Sequence, residues 1–115
     1  MDFTMAKYTV IKQNYEFRRA YLKGKRYISS CLVLYCFKRK YGGIRVGITS
    51  SKKIGKAVVR NRSRRVIREA YRAVYPELRG HWDLIFVART ATAHKKSTQI
   101  GVVMRKQLKE AGVLP

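Results

Sequence analysis

Nine basic side chains fall between Lys52 and Arg72 (Lys52, Lys53, Lys56, Arg60, Arg62, Arg64, Arg65, Arg68 and Arg72) against a single acid, Glu69. Arginine dominates the later part of this run, and its planar fork grips phosphate oxygens bidentately where lysine offers only a point charge. The chemistry of such a run is binding to a phosphodiester backbone. A solvated helix face is the alternative for any charge run, but such faces mix signs at i, i+4 and this one does not. Groups that could break bonds are sparse. The six acids, Asp2, Glu16, Glu69, Glu77, Asp83 and Glu110, are scattered, and no pair is spaced to share an ion, so a protein-borne two-metal site has little to work with. His81 and His94 lack ligand-type neighbours at metal-finger spacing. As acid and base of a stand-alone nuclease they would need a common positioning that two predicted loop residues do not have. Cys31 and Cys36 stand five apart in an apolar run. Within one strand an odd offset sends them to opposite faces, unable to bridge, as reduced and buried thiols of a cytosolic protein.

Aromatic residues supply a second kind of contact. Nine of the thirteen (Phe3, Tyr8, Tyr15, Phe17, Tyr21, Tyr27, Tyr35, Phe37 and Tyr41) precede residue 42. Rings on a short helix and a neighbouring strand can stack unpaired bases. Core packing is the competing role and suits Phe17 and Phe37 better, whereas Tyr21 and Tyr35 keep a polar tip that favours part exposure.

Elements of ordinary kinds must position these groups. With 27 lysines and arginines against 6 acids the 115-residue chain carries a formal charge of +21, yet 46 % of its residues are apolar. That describes one domain over residues 1–115, a folded core in a basic coat whose partner is a polyanion. The longest uncharged stretch, residues 27–37, is too short to span a bilayer. Met1-Asp2-Phe3-Thr4-Met5 shows no secretory signal, which points to the cytoplasm. Asn14 is the expected N-cap of a helix to residue 23, with Phe17, Ala20 and Tyr21 as its apolar stripe and Gly24 as its stop. Residues 27–38 and the alternating residues 44–49, separated by Lys40-Tyr41-Gly42-Gly43, predict a hairpin. A long helix over residues 56–75 ends at Pro76 and buries Val59, Ser63, Val66, Ile67, Ala70 and Val74 along an arc of about 100°. Its arginines fill the adjoining arc. The apolar run of residues 83–89 predicts a central strand covered on both faces. Ser97 is the expected cap of a last helix with the stripe Ile100, Val103, Met104, Leu108 and Ala111, closed by Gly112.

The stretch Lys52-Lys53-Ile54-Gly55-Lys56-Ala57-Val58-Val59-Arg60-Asn61-Arg62-Ser63-Arg64-Arg65 resembles the protein subunit of bacterial ribonuclease P, whose hallmark is a Lys-Lys-x-Gly-x-Ala-Val-x-Arg-Asn-Arg-x-(Lys/Arg)-Arg block leading into a basic helix. The likeness extends to Asn14-x-x-Phe17-x-x-x-Tyr21-x-x-Gly24, to Leu32-Val33-Leu34-Tyr35 and to residues 83–89, and so covers nearly the whole chain. Tyr21 stands where many relatives carry Phe. The resemblance implies an α+β fold, a two-layer α/β sandwich with a mixed four-stranded sheet, three helices and a left-handed βαβ crossover that the usual handedness rule would not predict. It also implies a function. The protein would bind a large catalytic RNA and assist endonucleolytic removal of the 5′ leader from precursor tRNA, leaving a 5′-phosphate, with the chemistry carried by Mg²⁺ bound mainly by the RNA and no obligate protein partner. Residue by residue, the resemblance assigns Lys52, Lys53, Lys56, Arg60, Asn61, Arg62, Arg64, Arg65 and Arg68 to RNA, and Phe17, Tyr21, Val33 and Tyr35 to a cleft for the leader. It assigns no catalytic or metal-binding residue to the protein. A structural RNA binder of the ribosomal-protein type is the alternative that composition alone would favour, and residues 52–68 separate the two. A basic amphipathic helix lying on a membrane is disfavoured because the apolar stripe of residues 59–74 is needed to cover a sheet.

Overall fold

The computed structural model describes residues 8–115, so Asp2, Phe3 and the expectations resting on residues 1–5 lie outside it. In chain order it holds β1 (Thr9–Val10), α1 (Asn14–Lys23), β2 (Lys25–Ile28), β3 (Leu32–Lys38), β4 (Ile44–Thr49), α2 (Ala57–Val74), β5 (Trp82–Ala88) and α3 (Ser97–Ala111). The strands form one mixed sheet in the order β1-β4-β5-β3-β2. The resemblance implied four strands, and the sheet has five: the three expected from the residue patterns account for β2 to β5, the first of them being split in two. The fifth, β1, pairs parallel with β4 through Thr9 and Val10, a length over which a two-residue period cannot show itself.

Strand β5 occupies the centre, parallel to β4 and antiparallel to β3. Its alternation feeds two cores. Leu84 and Phe86 join Leu32, Leu34, Cys36 and Val46 beneath α2 and α3, while Ile85 faces α1 with Ile11 and Ala20. Leu84, Ile85 and Phe86 have no exposed surface, and burying each side chain contributes about 1.5–3 kcal/mol. That double cover is why β5 reads as an uninterrupted apolar run.

Residues 32–38 and 44–49 do not form a hairpin. The chain between them opens as a fork, and β5 enters it: the Arg39 amide donates to the His81 carbonyl at 2.8 Å and the Trp82 amide to the Gly43 carbonyl at 3.0 Å. The hairpin lies earlier, between β2 and β3, and it splits the strand expected over residues 27–38. Ser29 makes the turn, its Oγ accepting from the Cys31 and Leu32 amides at 3.3 and 3.1 Å. The cysteine expectation changes with it. Cys31 sits in this turn, outside the alternation of β3, so both thiols lie in the α2–α3 core rather than on opposite faces. They are free, and burial pushes the Cys36 thiol up to about 12.

Two helix starts shift by one residue. Gln13 caps α1 in place of Asn14 because the Glu16 carboxylate accepts the Gln13 amide at 3.2 Å. Lys96 likewise caps α3 in place of Ser97, its amide bonded to Gln99 Oε1 at 2.9 Å. Gly112 closes α3 as expected. Along α2 the predicted stripe is buried except at its entrance, where Val59 is half-covered, and Tyr71 joins it. The Tyr71 ring lies 5.1 Å from that of Tyr8 and 5.7 Å from that of Phe86, and burial raises its hydroxyl pKa.

Candidate nucleic-acid interface

A 3-10 turn, Lys52–Ile54, leads through Gly55 into α2 and leaves Lys52, Lys53 and Lys56 exposed. Gly55 holds φ at +143°, a conformation that side chains with a Cβ rarely adopt. It thereby sets the angle between the lysine turn and the helix. The first turn of α2 contains no acid, so the positive end of the helix dipole adds to the lysines instead of being neutralised.

The six predicted groups on α2 are not equivalent. Arg60 Nη1 donates to the Gly55 carbonyl at 2.8 Å, and Arg62 Nε donates to the Ala93 carbonyl at 2.9 Å. Arg64 donates to Ser50 Oγ at 2.8 Å and to Asn61 Oδ1. Arg65 and Arg68 are exposed and make no hydrogen bond or ion pair among the described residues. All but Arg60 line an open groove of about 560 Å³ along the helix, together with Val58 and Val59.

The aromatic residues assemble on the opposite face of the sheet, under α1. Gly47 on β4 lets the helix come down: a Cβ there would stand 2.6 Å from Phe17 Cε1. Tyr21 meets Tyr35 edge to face with centroids 4.8 Å apart, and Tyr21 remains 40 % exposed. Val33 alternates onto the same face, opposite Ile28 and Val87. Phe17, Tyr21, Val33 and Tyr35 therefore share one face. Phe37 continues the row, but the Arg19 guanidinium covers it at 4.6 Å from the ring centroid. Tyr8 and Tyr27 pack instead against the α2–α3 core.

One constellation has no counterpart in the sequence analysis. Asp83, wholly buried at the head of β5, accepts from Arg45 Nε and Nη2 at 2.8 and 2.9 Å and from Arg19 Nη2 at 3.0 Å, and it pairs with Arg39 Nε at 2.9 Å. Arg45 also donates to Glu16, which is itself buried. These bonds raise the Arg45 guanidinium above its ordinary value, Asp83 contributing most. The cluster ties α1, β4, β5 and the end of β3 together. The available signal was a lone acid heading an apolar strand, which by itself names no partner.

Among the described residues the acids do not gather into a magnesium site. Glu16 and Asp83 are bound to arginines, Glu77 pairs with Arg105 at 2.7 Å, and no three His, Cys, Asp or Glu side chains gather among the described residues. His81 Nδ1 accepts the Gly43 amide at 2.8 Å, and His94 ends a separate 3-10 turn, Thr92–His94.

Residues 5–112 match the family model Ribonuclease P. The chain belongs to the ribonuclease P protein family. It is 43 % identical to the ribonuclease P protein component of Clostridium novyi across 95 % of this chain and 98 % of that one. Against the Clostridium botulinum component the identity is 40 %, covering 90 % and 94 % of the two chains. The RNase P protein of Staphylococcus aureus superposes with a TM-score of 0.80 at 34 % identity, covering 95 % of this chain and all of that one. The Thermotoga maritima RNase P protein shares the fold at 20 % identity, with a TM-score of 0.77 over 90 % and 97 % of the two chains. Membership makes this chain a ribonuclease P protein subunit and disfavours the ribosomal-protein alternative. No helix among the described residues is long and apolar enough to cross a membrane.

Proposed function

We propose that this subunit grips the catalytic RNA of ribonuclease P with α2 and its preceding lysine turn, and holds the single-stranded 5′ leader of precursor tRNA in the cleft of Phe17, Tyr21, Val33 and Tyr35. The observation that carries this is the edge-to-face pair of exposed Tyr21 and half-buried Tyr35 on a sheet face away from the arginine helix. Two chemically different surfaces suit two different RNA segments. The arginines suit phosphates of any sequence, and the rings suit unpaired bases. Lys52, Lys53, Lys56, Arg60, Asn61, Arg62, Arg64, Arg65 and Arg68 contact the catalytic RNA and the nearby leader, with Arg65 and Arg68 the most available. Mg²⁺ held by the RNA supplies the hydrolytic chemistry, consistent with the commitment of the protein's buried acids to arginines. The reaction takes place in the cytoplasm, in keeping with two unbridged cysteines, and it requires no further protein.

The test is reconstitution of the full chain with a bacterial ribonuclease P RNA, followed by affinity measurements on precursors with leaders of increasing length. Tyr21→Ala and Tyr35→Ala should each weaken leader-bearing precursors by about five- to a hundredfold while leaving mature tRNA nearly unaffected. Equal losses for both substrates, or none, would return the rings to a packing role. Cleavage by protein without RNA would overturn the assignment of the chemistry.

A further inference from the structure

On the flank of α1 away from Phe17 and Tyr21 lies a separate groove of about 420 Å³, walled by Tyr15, Arg19, Phe37, Arg39, Lys40 and Tyr41. It borders the aromatic row at Phe37 but contains none of the residues assigned to either surface above. Tyr15 is 58 % and Tyr41 78 % exposed, so two large rings face water in a lining that also holds cations. The loop bearing Tyr41 is held in place. Arg39 donates to the Tyr41 carbonyl at 2.9 Å and to the Gly43 carbonyl at 2.6 Å, while the Gly43 amide is bound by His81. Gly42 and Gly43 take φ of +98° and +76°, which permits this tight return. A loop backbone fixed in this way loses little freedom on binding. Arg19, Lys38, Arg39, Lys40 and Arg45 line the groove against Glu16 alone, and Asp83 beneath it leaves three positive charges in excess. Lys40 is exposed and has no ion pair among the described residues.

We propose that this groove is a further RNA contact that takes one unpaired nucleotide, its base on Tyr15 and Tyr41 and its phosphate on Lys40. Interleaved rings and cations match a nucleotide better than an acidic peptide, which would use the cations and leave the rings idle. The nucleotide comes either from an unpaired loop of the catalytic RNA or from the leader beyond the cleft. The inference rests on the RNA-binding role proposed above.

The experiment uses the reconstituted holoenzyme with a Tyr15→Ala, Tyr41→Ala double variant and with Lys40→Ala, circular dichroism confirming the fold. Two affinities are read: protein for catalytic RNA, and holoenzyme for precursors with short and long leaders. A loss of about five- to a hundredfold for the catalytic RNA supports the site and assigns the nucleotide to that RNA. The same loss confined to long-leader precursors supports it and assigns the nucleotide to the leader. The Tyr15→Phe, Tyr41→Phe double variant, which keeps both rings, should bind like wild type. Unchanged affinities in both arms, or a loss shared by the phenylalanine variant, would overturn stacking in this groove. An Arg65→Ala, Arg68→Ala control separates the two readings: if it binds catalytic RNA normally, the proposed grip of α2 fails, and if it alone loses affinity, only the groove fails.

Discussion

Asp83 sits at the mouth of β5 with no exposed surface and receives three arginines from three parts of the chain. A buried carboxylate of this kind is tolerable only because its lone pairs are filled, and the arginines keep contact with water at their outer edges. Removing one side of such an arrangement costs more than the arrangement adds, because the remaining charges stay where they are. Asp83→Asn should therefore destabilise the fold by about 3 kcal/mol, the lower end for a broken buried pair given the part-exposed arginines. Urea denaturation measures it. A change below about 1 kcal/mol would mean that the arginines rehydrate freely and that the carboxylate does not hold the cluster together.

Helix α1 is the element on which the open face of the sheet depends, since it separates the Phe17–Tyr21 cleft from the Tyr15–Arg19 groove. Its height above the sheet is set where Phe17 rests on Gly47 and Ala20 packs on Ile85. A methyl group at position 47 would fall 2.6 and 2.8 Å from two carbons of the Phe17 ring. Ile11 also borders that space, so the ring has little room to yield. Gly47→Ala should cost about 1–3 kcal/mol through overpacking. Combining it with Phe17→Leu should recover part of that loss, giving a clear coupling energy in a double-mutant cycle. Additive effects would show that α1 is seated elsewhere than on Gly47.

For the whole molecule, the placement of the acids matters as much as the excess of cations. Glu16 and Asp83 are buried in ion pairs, while Glu77 pairs with Arg105 at the surface, so two of the acids are withdrawn from the surface that meets the polyanion. Binding to RNA should then be strongly salt-dependent, falling by about 0.7–0.9 log units per log unit of salt for each phosphate neutralised. Arg65→Ala and Arg68→Ala should each flatten that slope by roughly one contact. Arg62→Ala should flatten it less, because that guanidinium is already directed to the Ala93 carbonyl. Equal slopes in all three variants would contradict the ranking.

The sequence by itself determined the local features: the arginine and apolar arcs of α2, the double cover of β5, the stop at Gly112 and the rings at 17, 21 and 35. Each rests on a periodicity or a near-neighbour preference that acts within a few residues of the chain. The block at residues 52–65 carried the family as well, through a spacing of residue types that needs no fold to be read. Pairing across long separations was decided only in the tertiary structure. β3 and β4 are neighbours in sequence, but β5 separates them because its three consecutive apolar side chains need cover from both sides. That insertion brought Asp83 between Arg39 and Arg45 and made one cluster of residues 16, 19, 39, 45 and 83. No local pattern relates these positions, because their attraction acts through space once strand order has been set by burial.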